Sequence, residues 1–253
     1  MRIRVERTGT VGRIVLARPE KKNALDLAAA RELREALREF ASDAEVRVVV
    51  LSADGDDFCA GADLSALNAL LDADAATQLA DAEALGDVFR VMREMPQVVV
   101  AVVRGRALAG GAGLATACDL VFAHEGARFG YPEVRVGFVP AMVMALLRRL
   151  IGEKHAFDLV ATGRQVSARE ALELGRVSRV IAAAEFDAAT AQIIHDLAAA
   201  PPEALRMTKR LFYQLDGVGF DEGIALAARV NVAARATDAF RDILRRFAPK
   251  DTK

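Results

Sequence analysis

The sequence holds two cysteines, three histidines and no tryptophan in 253 residues, and neither sign of charge is in excess. Each scarcity removes a class of function. Cys59 and Cys118 lie far apart and match neither a CxxC pair nor a zinc-ligand spacing, which argues against a disulfide framework or metal site and for two small buried thiols. None of His124, His155 or His195 has a local relation to Cys59, so a Cys–His nucleophile has no support and the histidines read as structural or exposed. The net charge of -1 comes from 34 basic and 35 acidic residues without long blocks of one sign, and neither a nucleic-acid groove nor a membrane-binding face is expected. The opening stretch MRIRVERTGTVGRIVLARPE is interrupted by charge every few residues, and the longest apolar runs stop at Arg104 and Arg106. No signal peptide or membrane span is therefore expected, and a cytoplasmic location is. There is no GxSxG elbow, no P-loop and no HExxH.

What the chain has is apolar content, at 53% hydrophobic residues, enough for one large α/β domain or a domain with an appendage. Residues 2–6 and 11–17 read as strands of a possible hairpin, residues 26–42 as a helix with Leu27, Ala30, Leu33, Leu37 and Phe40 on one face, and residues 47–53 as a buried strand. A small-residue loop and a helical LSALNALL follow. The pattern repeats at residues 98–118, where VVVAVVR feeds the run GRALAGGAGLATACD. Residues 119–124 and 127–133 read as strand and extended segment, and Pro140 opens a helix. Ser167 with Glu170 fits a capping box, Gly175 a helix stop, and Pro201-Pro202 an approximate boundary before a C-terminal helical segment.

The glycine run admits two chemical readings. As a dinucleotide fingerprint it has Thr116 at the third glycine position, and it follows at least three strands rather than the first. Glu133, at the right distance for a ribose contact, lies beyond a further strand in a proline turn. A nicotinamide-dependent oxidoreductase is therefore the weaker reading. Alternatively, FCAGADL at 58–64 and GRALAGGAGL at 105–114 are both small-residue turns between a buried strand and a helix. Each can present free backbone N–H groups, and two such turns on adjacent strands could aim at one oxygen. Either turn alone could equally serve close packing.

With RPEKKNAL at 18–25, FGYPEVRVGFVP at 129–140 and ATGRQVSAREALELGRVSRVI at 161–181, the two turns make five ordered motifs. In these the chain resembles the crotonase family, the enoyl-CoA hydratase/isomerase superfamily, over essentially its whole length. The resemblance implies an α/β fold: a spiral of repeated ββα units over residues 1–200 and a helical trimerisation segment over residues 201–253. It also implies a homotrimer or a hexamer made as a dimer of trimers, and an acyl-CoA thioester as ligand, with coenzyme A as part of the substrate and no other cofactor. Mapped residue by residue, it puts the two oxyanion N–H groups on Ala62 and Gly110 and the catalytic glutamate on Glu133, after Pro132. The turn Ala60, Ala62, Asp63 and Leu64 and the loop residues Lys22 and Ala24 would lie along the coenzyme A arm. Gly113 and Met142 would border the acyl group.

Two departures qualify the activity. Hydratases of the family usually carry a second glutamate where this chain has Gly113, and Pro140-Ala141-Met142-Val143-Met144 replaces the usual glycines. The first reading is hydration of a short or branched 2-enoyl-CoA by Glu133 alone, as in methylglutaconyl-CoA hydratase-like members. The second is Δ3,Δ2-enoyl-CoA isomerisation with Glu133 as proton shuttle, and the third is acyl-CoA binding without turnover.

Overall fold

The structure, a computed structural model, describes residues 2–247; Met1 and residues 248–253, which end the expected C-terminal segment, lie outside the described residues. Nine strands run in the order β1 (Ile3–Thr8), β2 (Val11–Leu16), β3 (Val48–Ala53), β4 (Val98–Val103), β5 (Arg106–Leu108), β6 (Leu120–His124), β7 (Arg128–Gly130), β8 (Gln165–Ser167) and β9 (Arg179–Ile181). Between and after them come the helices α1 (Leu27–Ser42), α2 (Leu64–Ala69), α3 (Ala75–Glu94), α4 (Gly110–Ala117), α5 (Ala141–Leu150), α6 (Glu153–Thr162) and α7 (Ala168–Glu173), then α8 (Phe186–Ala199), α9 (Pro202–Gln214), α10 (Phe220–Arg235) and α11 (Asp238–Phe247).

Six strands form one sheet in the order β1-β2-β3-β4-β6-β9, antiparallel only in the first hairpin, while β5, β7 and β8 form a second, smaller sheet. The valine-rich runs of β3 and β4 follow from burial on both faces. Val48, Val50, Val98 and Val100 pack with Phe186, Ile194 and Ala198 of α8, whereas Val49, Leu51, Val99 and Ala101 join the core shared with α1, α3 and α4.

The hairpin, α1, the buried strands, α2 and α4 lie where the sequence pattern puts them. Asp26 caps α1 by accepting from Ala29 N at 2.8 Å. The Ser167 hydroxyl accepts from Glu170 N at 3.1 Å to cap α7, but the Glu170 carboxylate turns to Arg164 instead of completing the capping box. Pro140 caps α5 and does not occupy its first turn. Two elements are not signalled by periodicity. In α3 only Ala84, Val88, Phe89 and Met92, from its midpoint onward, are buried, so no continuous apolar stripe marks it. Strand β5 hides inside the glycine run, too short to alternate. Helix α9 docks on the core through Lys209, whose ammonium donates to the Met92 and Gln97 carbonyls and to Asp119, each at 2.7 Å.

Candidate active site

The two small-residue turns are joined by backbone. Cys59 N donates to Arg106 O at 3.0 Å and Leu108 N to Cys59 O at 2.9 Å, so the loop after β3 runs beside β5. Asp57 reinforces the seam. Its carboxylate takes Arg106 Nε at 2.7 Å, Nη2 at 2.6 Å and the Arg106 backbone N–H at 3.1 Å. These bonds, the side-chain ones first, hold the Asp57 pKa below the ordinary carboxylate range despite burial. On the other side, Leu25 N donates to Gly61 O and Asp63 N to Leu25 O, both at 2.7 Å.

The seam leaves two N–H groups over. Ala62 N has no acceptor among the described residues, and Gly110 N, at the first residue of α4, has none within its helix. The turns meet closely at Gly61, which has φ +97°. A Cβ there would stand 2.6 Å from Ala109 Cβ and 3.4 Å from Gly110 N. Only glycine allows the Ala62 peptide to lie against the Gly110 peptide in this way. Ala109 is held at φ 50°, ψ -128°, unusual for a residue with a Cβ and worth about 1–3 kcal/mol of strain. Bonds from Ala109 N to Gly130 O, 2.9 Å, and from Gly113 N to Ala109 O, 3.0 Å, over-determine that geometry.

Glu133 follows the strand paired with β5. Strands β5 and β7 are parallel with Leu108 opposite Gly130, so Gly110 begins α4 two residues beyond one strand end while Glu133 stands three residues beyond the other. Glu133 lies in the 3-10 turn Pro132–Val136, after the half-buried Pro132, and is only 8% exposed. Its Oε2 is buried without a partner among the described residues, and burial raises its pKa, with its own backbone N–H opposing.

Gly113, where a second carboxylate would be expected, points into packed apolar matter. A Cβ there would stand 2.7 Å from Val143 Cγ2 and 2.9 Å from Phe89 Cζ. At the start of α4 the neighbouring side chain is also apolar, since a Cβ on Gly110 would meet Leu85 at 3.2 Å; on α3, one on Gly86 would meet the half-buried Met142 at 3.8 Å.

The residues expected along the coenzyme A arm fall on two loops stitched together. Ala60 N donates to Lys22 O at 3.0 Å and Ala24 N to Lys21 O at 3.1 Å, with Lys22 and Asn23 both at positive φ. Lys22 is exposed, Ala24 half-buried and Leu64 exposed. Asp63 is buried, caps α2 through Ser65 N at 3.0 Å, and pairs with Arg18 Nη2 at 3.2 Å, so its carboxylate is engaged by the protein. Asp57, Phe89 and Val143 shape the site without any local sequence signal. Their partners lie dozens of residues away.

Both cysteines are free and buried, and burial pushes the Cys59 thiol up to about 12, so it offers no thiolate beside the Gly61–Ala62 turn. Among the described residues no group of three or more His, Cys, Asp or Glu could hold a metal ion, and no helix is long and apolar enough to cross a membrane.

Comparison with known proteins gives a consistent answer. The profile of the family described as enoyl-CoA hydratase/isomerase matches residues 6–252. A Thermus thermophilus protein provisionally named an enoyl-CoA hydratase is 40% identical over 248 residues, 98% of each chain. The crystal structure of an enoyl-CoA hydratase from Mycobacterium smegmatis superposes with TM-score 0.93 at 31% identity, covering 98% of this chain and 96% of that one. One from Bacillus anthracis does so with TM-score 0.91 at 30% identity, covering 98% and 96%.

Proposed function

The chain belongs to the enoyl-CoA hydratase/isomerase family, and from that premise we propose that it adds water across the double bond of a short or branched 2-enoyl-CoA, with Glu133 as the single acid–base residue. Glu133 takes a proton from water as the water oxygen bonds to C3. The C2–C3 π electrons move toward the thioester and its oxygen gathers enolate charge, which the N–H groups of Ala62 and Gly110 stabilise. Glu133 then returns the proton to C2, giving the 3-hydroxyacyl-CoA. No cofactor beyond the coenzyme A of the substrate takes part. The observation that carries the reading is a buried, unpartnered carboxylate three residues past β7, the strand paired with β5, together with two turn N–H groups left over, that of Gly110 just past β5 and that of Ala62 in the loop after β3. A raised pKa suits a group that must both accept and donate a proton. Each oxyanion donor of this kind typically contributes about 3 kcal/mol of transition-state stabilisation.

The coenzyme A arm would lie along Lys22, Ala24, Ala60, Asp63 and Leu64, and the acyl group between Pro132, Gly113 and Met142. Asp63, bound to Arg18 and the α2 N-terminus, would act by shaping the turn rather than by reaching the ligand. Residues 1–200 would form the catalytic core and 201–253 the segment for assembly into a trimer or hexamer. The exposed Phe220, Ile224 and Val232 of α10 support that.

Loss of the conjugated thioester absorbance on adding the protein to crotonyl-CoA and 3-methylglutaconyl-CoA tests the proposal, with Glu133→Gln as control. A second reading is favoured by one observation, the apolar filling around Gly113. With no second group to place water, Glu133 could instead move a proton between C2 and C4. Inertness toward both 2-enoyl substrates with conversion of a 3-enoyl-CoA to its 2-enoyl isomer would establish this isomerase instead. Binding of an acyl-CoA without either reaction would leave only the ligand class standing.

A further inference from the structure

Arg176, between α7 and β9, is a cation in an unusual place. It is 6% exposed, and its Nη2 donates to Thr116 Oγ1 at 3.3 Å, while Nε and Nη1 are buried with no partner among the described residues. Its guanidinium carbon lies 4.8 Å from the centre of the Tyr131 ring and 5.4 Å from that of Phe129. Stacking on aromatic rings returns only part of what desolvating an unpaired guanidinium costs. A buried leucine would be the cheaper occupant.

What Arg176 touches gives the cost a purpose. The Thr116 hydroxyl donates to Ala112 O at 2.7 Å, so its single proton is committed to α4. The Tyr131 hydroxyl, 3.1 Å away, must then donate to Thr116, as Arg176 does, and both lone pairs of that oxygen are occupied. Tyr131 is fully buried and lies two residues before Glu133. The cluster thus joins α4, which carries Gly110 at its start, to the turn that carries Glu133.

We propose that Arg176 is a positioning residue for proton transfer: stacked on Tyr131 and bonded to Thr116, it holds the Glu133 turn at a set distance from the Gly110 N–H. The role rests on Glu133 being the acid–base group of the proposed reaction. Arg176→Leu keeps the packing, Arg176→Lys keeps the charge, and Tyr131→Phe keeps the ring while removing its bond to Thr116. For Arg176→Leu the melting temperature stays at or above that of the wild type, because an unpaired buried charge is gone. Amide exchange at residues 133–136 speeds up by about tenfold or more. In the same variant kcat falls about tenfold, equivalent to about 1.4 kcal/mol of barrier, with KM within about twofold of wild type. Arg176→Lys recovers part of kcat, and Tyr131→Phe shifts kcat in the same direction as the leucine variant. A melting temperature that falls along with kcat while local exchange is unchanged would make Arg176 merely structural and overturn the proposal, as would wild-type kcat and exchange. If the wild type converts no enoyl-CoA, the reaction assignment fails on its own and exchange alone decides: acceleration confined to 133–136 sustains the positioning role, and its absence ends it.

Discussion

Glu133 meets two demands that pull in opposite directions. In the proposed reaction it must be ionised to take a proton from water, yet it sits where ionisation is disfavoured. Its folded-state pKa is raised above the unfolded value of about 4.3, so folding stability falls as pH rises from that value through the raised one. Glu133→Gln therefore lowers turnover by about 10²–10⁴ while leaving the protein as stable as wild type or more so at neutral pH. That advantage disappears as pH is lowered to about 4 or below, where the carboxyl is protonated in both states. Paired melts at two pH values and a rate measurement check both halves. In the wild type the acid limb of kcat/KM lies above about 4.3, since the free enzyme needs the ionised form. The turns that carry Ala62, Gly110 and Glu133 were legible in the sequence because small residues or a proline mark them, whereas the roles proposed for these three residues come from the family resemblance. The apolar filling around Gly113 was not, because Phe89 and Val143 come from α3 and α5 and a missing side chain says nothing about what takes its space.

At the scale of elements, the pairing of β5 with the loop after β3 sets how the Ala62 and Gly110 turns of the proposed oxyanion site meet, and the Asp57–Arg106 clamp secures it. Asp57 is buried, but the Arg106 side chain is 45% exposed, so solvent screening weakens the pair. Asp57→Asn should cost on the order of 1 kcal/mol of stability at neutral pH. The sign follows from the depressed pKa of Asp57: the contribution is present above the unfolded value of about 3.9 and fades as pH drops through the folded one. Turnover should fall more than affinity, because the donors matter most once charge has developed on the thioester oxygen. Thermal melts with steady-state kinetics read both effects. The long strands and α1 were legible because buried valine runs and an amphipathic stripe are local properties. Strand β5 and helix α3 were not, since one has three residues and the other buries residues only from its midpoint onward.

At the scale of the whole molecule, α10 and α11 expose Phe220, Ile224, Val232, Phe240, Ile243, Leu244 and Phe247, more apolar surface than a solitary helical pair leaves in water. Apolar residues late in the chain were visible in the sequence; that α9 anchors the segment through Lys209 was not, because lysine reads as a surface residue. On the proposed assembly, the wild type is a trimer or hexamer in light scattering, and replacing Phe220 and Ile224 together by aspartate should give a monomer. The close packing of Gly113 against Phe89 and Val143 also limits which other sequences this one can become. Gly113→Glu alone forces a side chain into space already filled, so it should express poorly or melt early and gain no rate. The same change made after Val143→Ala and Phe89→Leu should be tolerated. A two-carboxylate enzyme is therefore several ordered substitutions away: the mutational path is epistatic, and the proposed single-carboxylate site is one the chain does not leave in one step.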